Sequence, residues 1–398
     1  MASSGSPSAK EEQIGGVVVD LVSGNEHNKT KKAVGFIPLD IIIDILSRVP
    51  GSSLIRFRLV CKLWHSLTYD PRLVDLHLDR ASRVAPPRVM LFFQNEEQGH
   101  RKFHFNMLED TWKRRNGLTS DSDGVLSTPP CNGLVCLYDY HHNIRLCNPT
   151  TREFLHLPRP TRNSKSVLSS FPKCFLGFHP VTKKYKVVRF FYHQMNHVTE
   201  SYDLGCEVFT LGTWSWKYVG SIDCYLTGQG VNANGYLYWT KGVNTVIPDQ
   251  IVAFDLESEK FNSIAVPDFL SYQIIVQGAM FLVQLEGKLC VVNAPYDSPG
   301  SMDAWMLEDP INNVWIHRFS ISLHSIPGYR RRPEPIFIHN GRVLLRWLEK
   351  LFYKSLDNEQ KDTECVYADN CLNSSAKAYA FVESLVSLDS ENHHSFIS

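Results

Sequence analysis

The 398-residue sequence has no long apolar run, no excess of either charge and no cysteine pair spaced as C-x-x-C. No run approaches the ~18 apolar residues of a membrane-spanning helix, so no membrane span is expected. Lys plus Arg and Asp plus Glu each total 41, which gives no sign of a surface charged for nucleic acid or an anionic membrane. Several of the 10 cysteines lie in apolar runs, so neither a disulfide framework nor a zinc cage is predicted.

Motifs of common catalytic sites are also missing, because the sequence contains no H-E-x-x-H, G-x-S-x-G or phosphate-binding P-loop. His141-His142 and His393-His394 are adjacent pairs, a spacing that does not suit ligands of one metal. Gly228-Gln229-Gly230 is interpreted as a turn. A copper-oxidase propeller would need a Tyr, Cys and His cluster that the sequence does not place, and no cysteine has the surroundings of an activated thiolate. We therefore predict a protein that is not an enzyme and needs no metal or cofactor.

Composition divides the chain into segments. Residues 1–33 are rich in Ser, Gly, Lys and Glu around the apolar island Val17–Val22 and are predicted to be a disordered leader. Met1–Lys10 lacks a basic and then apolar signal pattern, so we expect the protein in the cytoplasm and/or nucleus. A helical module is predicted at 34–80, a linker at 81–88 around Ala85-Pro86-Pro87, a β-rich body at 89–388 and a flexible tail at 389–398.

Three helices are predicted in the module. The first begins near Pro38 and ends at Pro50-Gly51, the second is capped by Ser52 or Ser53, and the third begins near Val60. A unit this short buries little surface, and its aliphatic stripe is larger than one internal face requires. We predict that a partner completes it by binding the helices in a groove. The alternative is an ordinary helical cap packed on the β-rich body.

The β-rich body contains a repeat. Short β-branched and aromatic runs are separated by Asn-Gly, Gly and Pro turns, and no long helical pattern interrupts them. An apolar or aromatic residue is followed by a polar turn and, in most copies, a second aromatic residue. The copies begin at Phe105, Cys147, Phe209, Phe254, Met306 and Tyr353. Their intervals match the ~40–50-residue period of propeller blades, so we predict a six-bladed β-propeller, with a sandwich or irregular barrel as the alternative.

Turns and chain ends fit the same prediction. Turn residues that tolerate positive φ precede most copies, at Asn132-Gly133, Asn234-Gly235, Glu286-Gly287 and Asn340-Gly341. A closed propeller needs one blade built from both ends of the domain. We expect Ala378–Leu388 to join Val89–Phe93 and Lys102–Phe105 in that blade.

The helical module closely resembles the F-box in Phe36–Pro50 and Ser53–Trp64, including the spacing of its Pro, Leu and Val-Cys-Lys-x-Trp positions. The resemblance implies binding to a Skp-type adaptor, and through it to cullin and RING subunits. Carried over position by position, the adaptor-binding residues are Pro38, Ile41, Ile42, Ile45, Leu46, Val49, Leu54, Val60 and Trp64. Val49 and Gly51 depart from the family pattern in ways expected to loosen docking.

The remainder resembles the F-box-associated domain, a kelch-like propeller of a large plant family, at Cys131–Cys136, Asn148–Arg152, Asn234–Trp239 and Phe254–Phe261. The resemblance implies a multidomain protein, a three-helix F-box at 34–80 followed by an all-β propeller at 89–388. Its implied function is the substrate-recognition subunit of an SCF (Skp-cullin-F-box) ubiquitin ligase, which holds a target protein for ubiquitination and proteasomal degradation. The alternatives are a non-degradative scaffold and a glycan-binding receptor using aromatics such as Trp214 or Trp239.

Target-binding residues are harder to predict. The basic run Arg330, Arg331 and Arg332 stands out in a neutral chain, and Arg side chains suit an acidic or phosphorylated segment of a target. The predicted loops Pro160–Ser170 and Tyr192–Asp203 are further candidates for the binding face.

Overall fold

In the computed structural model, four helices precede six four-stranded antiparallel sheets within the described residues. These residues are 16–20, 34–83, 87–97, 100–108, 114–121, 125–139, 141–161, 173–196, 201–242, 250–267, 280–294, 300–324, 333–357, 363–368 and 376–388. None of the helices in these ranges is long and apolar enough to cross a membrane.

The helical unit contains one helix more than the sequence predicted. Its helices are α1 (Leu39–Leu46), α2 (Gly51–Phe57), α3 (Lys62–Leu67) and α4 (Pro71–Arg83). The Asp70 carboxylate accepts the Arg72 N–H at 2.8 Å, and Pro71 occupies the first helical position, where its missing N–H costs nothing. The prediction of three helices did not use this start signal and therefore lacked α4. Because α4 continues to Arg83, the predicted linker begins inside a helix.

Two further predictions about this unit are wrong. Helix α2 is preceded by Pro50 at its N-cap, and neither Ser52 nor Ser53 caps it. The predicted disordered leader contains strand β1 (Gly16–Asp20), which pairs antiparallel with β2 (Val34–Pro38), as its β-branched valines favour. The rest of 1–33 and the predicted tail at 389–398 lie outside the described residues.

The six sheets are the blades of a propeller, as predicted. Blade 1 consists of β3 (Arg88–Glu97), β4 (His100–Leu108), β5 (Arg114–Asp121) and the last strand, β26 (Lys377–Phe381); blade 2 of β6 (Leu126–Ser127), β7 (Val135–Tyr138), β8 (Ile144–Asn148) and β9 (Glu153–His156); blade 3 of β10 (Lys173–His179), β11 (Lys184–Asn196), β12 (Ser201–Thr210) and β13 (Trp216–Asp223). Blade 4 consists of β14 (Tyr225–Ala233), β15 (Tyr236–Gly242), β16 (Gln250–Asp255) and β17 (Phe261–Ala265); blade 5 of β18 (Met280–Leu285), β19 (Lys288–Asn293), β20 (Ser301–Asp309) and β21 (Val314–Ser322); blade 6 of β22 (Glu334–His339), β23 (Arg342–Trp347), β24 (Lys350–Ser355) and β25 (Thr363–Ala368).

The predicted repeat marks the third strand of every blade. Its six first positions lie in β4, β8, β12, β16, β20 and β24. Two of the aromatic pairs are direct cross-strand partners between third and fourth strands, Phe209 with Trp216 and Phe254 with Phe261. The four predicted turns have positive φ at both residues and join the first and second strands of blades 2, 4, 5 and 6.

Blade 1 closes the ring, as predicted. Its first strand is β26, from the end of the domain, and this strand pairs with β3, the second strand of the blade. Only Lys377–Phe381 of the late segment is a strand; Val382–Leu388 leaves the sheet. Gly228-Gln229-Gly230, interpreted as a turn, is instead a bulge inside β14, with φ of 76° at Gly228.

The antiparallel order gives the propeller two different ends. The turn end carries the turns between first and second and between third and fourth strands, including Asn132-Gly133 and Asn148–Arg152. The connection end carries the links from second to third strands and from blade to blade, such as Leu348-Glu349 in blade 6 and Cys224 between blades 3 and 4. The helical unit is seated at the turn end, where Gly51 contacts Thr150 and Glu383.

Candidate docking surface

Helix α1 presents an apolar face to solvent although its opposite face is already packed. Ile42 and Leu46 are 8% and 4% exposed, whereas Ile41 and Ile45 are 52% and 53% exposed. Ile41 and Ile45 are four residues apart and therefore lie on one helical face, with exposed Pro38 one turn earlier. Burial of aliphatic side chains is the main favourable term in association, so this face has the chemistry of a docking surface.

The turn between α2 and α3 exposes two more apolar residues. Val60 is 63% exposed and Leu59 is 89% exposed. Leu59 was not among the predicted contacts, although consecutive apolar residues at a helix–helix turn are a signal that sequence reasoning can use. Trp64 is half-buried against Phe57, with ring centroids 4.9 Å apart.

The structure thus divides the nine residues predicted to bind the adaptor. Three of them, Ile42, Leu46 and Leu54, are buried in the core of the helical unit, because the spacing that makes a stripe also supplies the inward face. These three residues are therefore core residues of the helical unit, and their assignment as adaptor contacts is corrected. Val49 and Trp64 pack partly against that core, and the exposed members are Pro38, Ile41, Ile45 and Val60.

Charged groups hold α1 against α4. The Arg80 guanidinium donates hydrogen bonds to the Asp44 carboxylate and backbone oxygen, and this contact, with help from Arg48, holds the pKa of Asp44 below its usual value. On the inner side of α4, burial lowers the pKa of His77, whose Nε2 lies 3.1 Å from the Val49 oxygen. These contacts orient α1, and with it the exposed face.

The core of the helical unit is completed from the other end of the chain. Leu385 is fully buried in the same cluster as Leu54, Leu67 and Leu73. It belongs to Val382–Leu388, which we call the strap, and the strap follows directly on β26 of the propeller. A residue that follows the propeller's last strand therefore forms part of the hydrophobic core of the helical unit.

Glu383 of the strap joins the same two parts by polar contacts. Its carboxylate accepts the Gly51 N–H at the start of α2 at 2.7 Å and the Arg88 guanidinium at the start of β3 at 2.6 Å. A negative charge at a helix start also interacts favourably with the free N–H groups there. One carboxylate thus ties together α2, β3 and the strap.

Two of the four segments that resemble the F-box-associated domain contact the strap. The Asn148 amide donates to the backbone oxygens of Ser384 and Val386 at 3.1 and 2.7 Å. Gly133, at φ 82°, lies so close that a Cβ there would fall 2.2 Å from the Ser384 Cβ. Cys131–Cys136 and Asn148–Arg152 are therefore structural motifs in this protein.

Comparisons with known proteins agree with this architecture. A family model described as "F-box associated beta propeller domain" matches residues 87–331, and one described as "F-box-like" matches residues 34–74. The chain belongs to the plant F-box proteins with an F-box-associated β-propeller. The F-box domain is in general a module that binds a Skp-type adaptor, and the F-box of this chain is the unit that presents Ile41 and Ile45.

Relatives come from Arabidopsis thaliana. F-box protein At1g53790 is 28% identical over 294 residues, which cover 70% of this chain and 63% of that protein. F-box protein At3g57590 is 30% identical over 306 residues, which cover 70% of each chain. The solved structure of an oligogalacturonate lyase from Vibrio parahaemolyticus aligns with a TM-score of 0.42 and 7% identity, over 71% of this chain and 75% of that one.

The residues predicted to bind the target lie partly outside the described residues. Arg330, Arg331 and Arg332 lie outside the described residues. Tyr192–Asn196 and Ser201–Asp203, predicted as loop, are strand residues of β11 and β12. Of the two aromatics considered for glycan binding, Trp239 is fully buried between Phe175 and Phe190, and Trp214 is 38% exposed at the turn end. Within the described ranges no three His, Cys, Asp or Glu side chains are grouped to hold a metal.

Gly51 tests the contact between the F-box and the propeller. A Cβ on this buried residue would lie 2.9 Å from the Thr150 Cγ2 and 3.3 Å from a Glu383 carboxylate oxygen. We expect Gly51→Ala to lower the free energy of unfolding by about 1–3 kcal/mol, as overpacking does. In an isolated helix Ala is favoured over Gly, so a rise in urea-unfolding stability would contradict this contact. Ser53→Ala in the same helix is the matched control. The effect of Gly51 on adaptor docking stays a prediction, and the structure adds that this residue is closely packed between the two domains.

Proposed function

We propose that this protein is the substrate-recognition subunit of an SCF-type ubiquitin ligase and works in the cytoplasm and/or nucleus. The observation that carries the proposal is the exposed face of Pro38, Ile41 and Ile45 on an F-box whose inward-facing apolar residues already form a packed core. This face docks on a Skp-type adaptor, which brings cullin and RING subunits. The receptor has no catalytic role of its own and raises the effective concentration of target lysines near the ubiquitin-charged enzyme.

The contacts between the strap and the F-box give this role a physical basis. Because Leu385 and Glu383 fix the F-box to the turn end, a target bound to the propeller is held at a defined position relative to the ligase. The F-box covers part of the turn end, and the connection end lies on the opposite side of the blades. We assign target recognition to the connection end.

The experiment compares the wild-type chain with the double variant Ile41→Asp, Ile45→Asp in plant cells with the proteasome blocked. Wild type should co-purify with a Skp-type adaptor and cullin, and at least one captured protein should accumulate with ubiquitin attached. The variant should capture the protein but not the adaptor, and the captured protein should lose its ubiquitin.

A bound partner whose lifetime and ubiquitin content ignore both the variant and the inhibitor would overturn the degradative role. That result would support the non-degradative scaffold. Failure of the wild type to capture any Skp-type adaptor would reject both.

A further inference from the structure

A pocket opens between blades 3 and 4 at the rim of the propeller. It has a volume of about 270 Å³ and is lined by Ile222, Asp223 and Cys224 at the end of blade 3 and by residues of β15, β16 and β17 in blade 4. Cys224 is the link between the two blades, which places the pocket towards the connection end. Asp223, Asn262 and Ser263 are exposed members of its lining, so the pocket is open to solvent.

A small side chain at one position of the strand repeat leaves room for this pocket. Phe261, the second aromatic residue of its copy, packs against the apolar cluster between blades 3 and 4, and the residue two positions later lies on the same face of the strand. In blade 4 that residue is Ser263, whereas blades 2, 3 and 5 have His156, Tyr218 and His317 there. Blade 4 therefore has open space where those blades carry a ring.

The inner wall of the pocket is apolar. Val252 belongs to the cluster between blades 3 and 4, and Ile222 and Phe261 pack against that cluster. The volume lies below the roughly 300–1,000 Å³ of small-molecule sites, so the pocket suits a single side chain better than a cofactor. An apolar side chain that left water for this wall would be stabilised by its burial.

Lys241 gives the pocket a positive group. This residue, the last but one of β15, is half-buried and forms no ion pair within the described ranges. It lines the pocket together with Cys224; burial raises the pKa of that thiol, and the charge of Lys241 opposes the rise. Asp223 is exposed, so water already solvates its carboxylate. A carboxylate that entered with an apolar side chain would therefore be attracted to Lys241.

The outer edge of blade 4 lies beside the pocket. Strand β17 pairs with β16 and with no other strand in the described part of the chain. An extended segment can add to such an edge by main-chain hydrogen bonds, and its alternate side chains then enter neighbouring pockets. On one face of the added strand, side chains would lie across from Phe261 and Ser263, which line the pocket.

We propose that an extended segment of the target protein pairs with the edge of β17, inserts one apolar side chain between blades 3 and 4 and places a carboxylate from the same face of the segment at Lys241. The inference rests on the proposed function, which makes the occupant a target. It deepens that function by naming a site and the chemistry of the segment that the site recognises.

The first test applies the purified full-length protein to arrays of short peptides of alternating Ser and Thr. Each peptide carries Leu or Ala at its centre and Glu, Gln or Lys two positions away, because residues two apart share one face of a strand. We expect the peptides with Leu and Glu to be retained most strongly. Retention that is equal for Leu and Ala peptides, or no retention of any peptide, would overturn the proposal.

The second test fills the pocket. Ser263→Tyr gives blade 4 the residue that blade 3 has at Tyr218, so the variant should melt no lower than wild type. It should weaken binding of the Leu and Glu peptide at least about tenfold, because the apolar side chain loses its place. Ser221→Tyr makes the same change at an exposed residue of β13 that does not line the pocket, and it should bind as wild type. Equal affinity of all three proteins would reject the pocket.

The charge is tested separately. Lys241→Gln should remove the preference for Glu over Gln, about tenfold in affinity, and keep the preference for Leu over Ala. Lys350→Gln changes an exposed lysine at the connection end of blade 6 and should keep both preferences. A Glu preference that survives in Lys241→Gln would contradict the role given to this ammonium group.

A third measurement locates the bound peptide in the wild-type protein and needs no variant. Cys224 lines the pocket, whereas Cys61 and Cys365 are exposed elsewhere. Alkylation by iodoacetamide, followed by mass spectrometry, should slow at Cys224 when the Leu and Glu peptide is present and stay unchanged at the other two. Alkylation of Cys224 that ignores the peptide would place binding outside the pocket. Adaptor capture by the F-box depends on none of these results, so this inference and the proposed function can fail separately.

Discussion

Replacing Ile41 and Ile45 together by Asp is expected to abolish capture of a Skp-type adaptor while the protein remains folded. Each side chain is about half exposed in the free protein. Full burial of an aliphatic side chain contributes roughly 1.5–3 kcal/mol, so burying the exposed halves of both contributes about 1.5–3 kcal/mol in total, and its loss weakens binding about 10- to 150-fold. The two new carboxylates would also have to leave water to enter the interface. A pull-down with purified adaptor, together with the melting temperature, measures both parts of the expectation.

The control variants are chosen by how exposed the replaced apolar residue is. Ile311→Asp changes an apolar residue that is 92% exposed in the β20–β21 turn of blade 5, and it should leave adaptor capture intact. Leu46→Asp should also lose capture, but for another reason, because it places a carboxylate in the F-box core and unfolds the unit. Adaptor binding by a folded Ile41→Asp, Ile45→Asp variant would show that the docking surface lies elsewhere.

Much of the propeller follows from local sequence. Type and spacing of turn residues are local signals, and positive φ at Asn132-Gly133 and its three counterparts is what Asn and Gly permit. The strand repeat predicted six blades because each copy occupies the third strand of one blade. Closure by β26 could also be predicted, since a propeller ring requires one mixed blade.

The docking surface was only partly predictable. Helical spacing identifies an apolar face, but it does not tell which residues of a wide stripe point inward, so Ile42 and Ile41 look alike in sequence. The strap was not predictable at all. Leu385 and Glu383 contact residues of the F-box that are more than 300 positions away, and periodicity carries no information about such pairs.

The strap changes what the family motifs mean. Asn148 and Gly133 hold Ser384 in place, and Ser384 lies between Glu383 and Leu385, which contact the F-box. Two of the four motifs by which the propeller resembles its family therefore support the joint between the two domains. We therefore propose that the residues that select the target lie at the connection end.

Truncation of Leu385 is expected to loosen the F-box although the residue belongs to the propeller's last segment. Leu385→Ala leaves a cavity among Leu54, Leu67 and Leu73, and such changes cost about 2–5 kcal/mol. Hydrogen–deuterium exchange should show faster exchange in α1, α2 and α3, with the blades little changed. The matched control is Leu388→Ala, three positions further on, because Leu388 is 1% exposed and packs between blades 2 and 3 instead.

The two variants should therefore lose exchange protection in different places. Leu385→Ala should exchange faster in the F-box, and Leu388→Ala should exchange faster in β10 and β11. Faster exchange in the same elements for both variants would mean that the strap acts only as the end of the propeller. If the loss of exchange protection in Leu385→Ala is confined to the F-box, adaptor affinity should fall as well. The reason is that Ile41 and Ile45 lie on helix α1, whose inner face packs in the cluster that contains Leu385. One leucine after the last strand of the propeller would then control how the F-box docks.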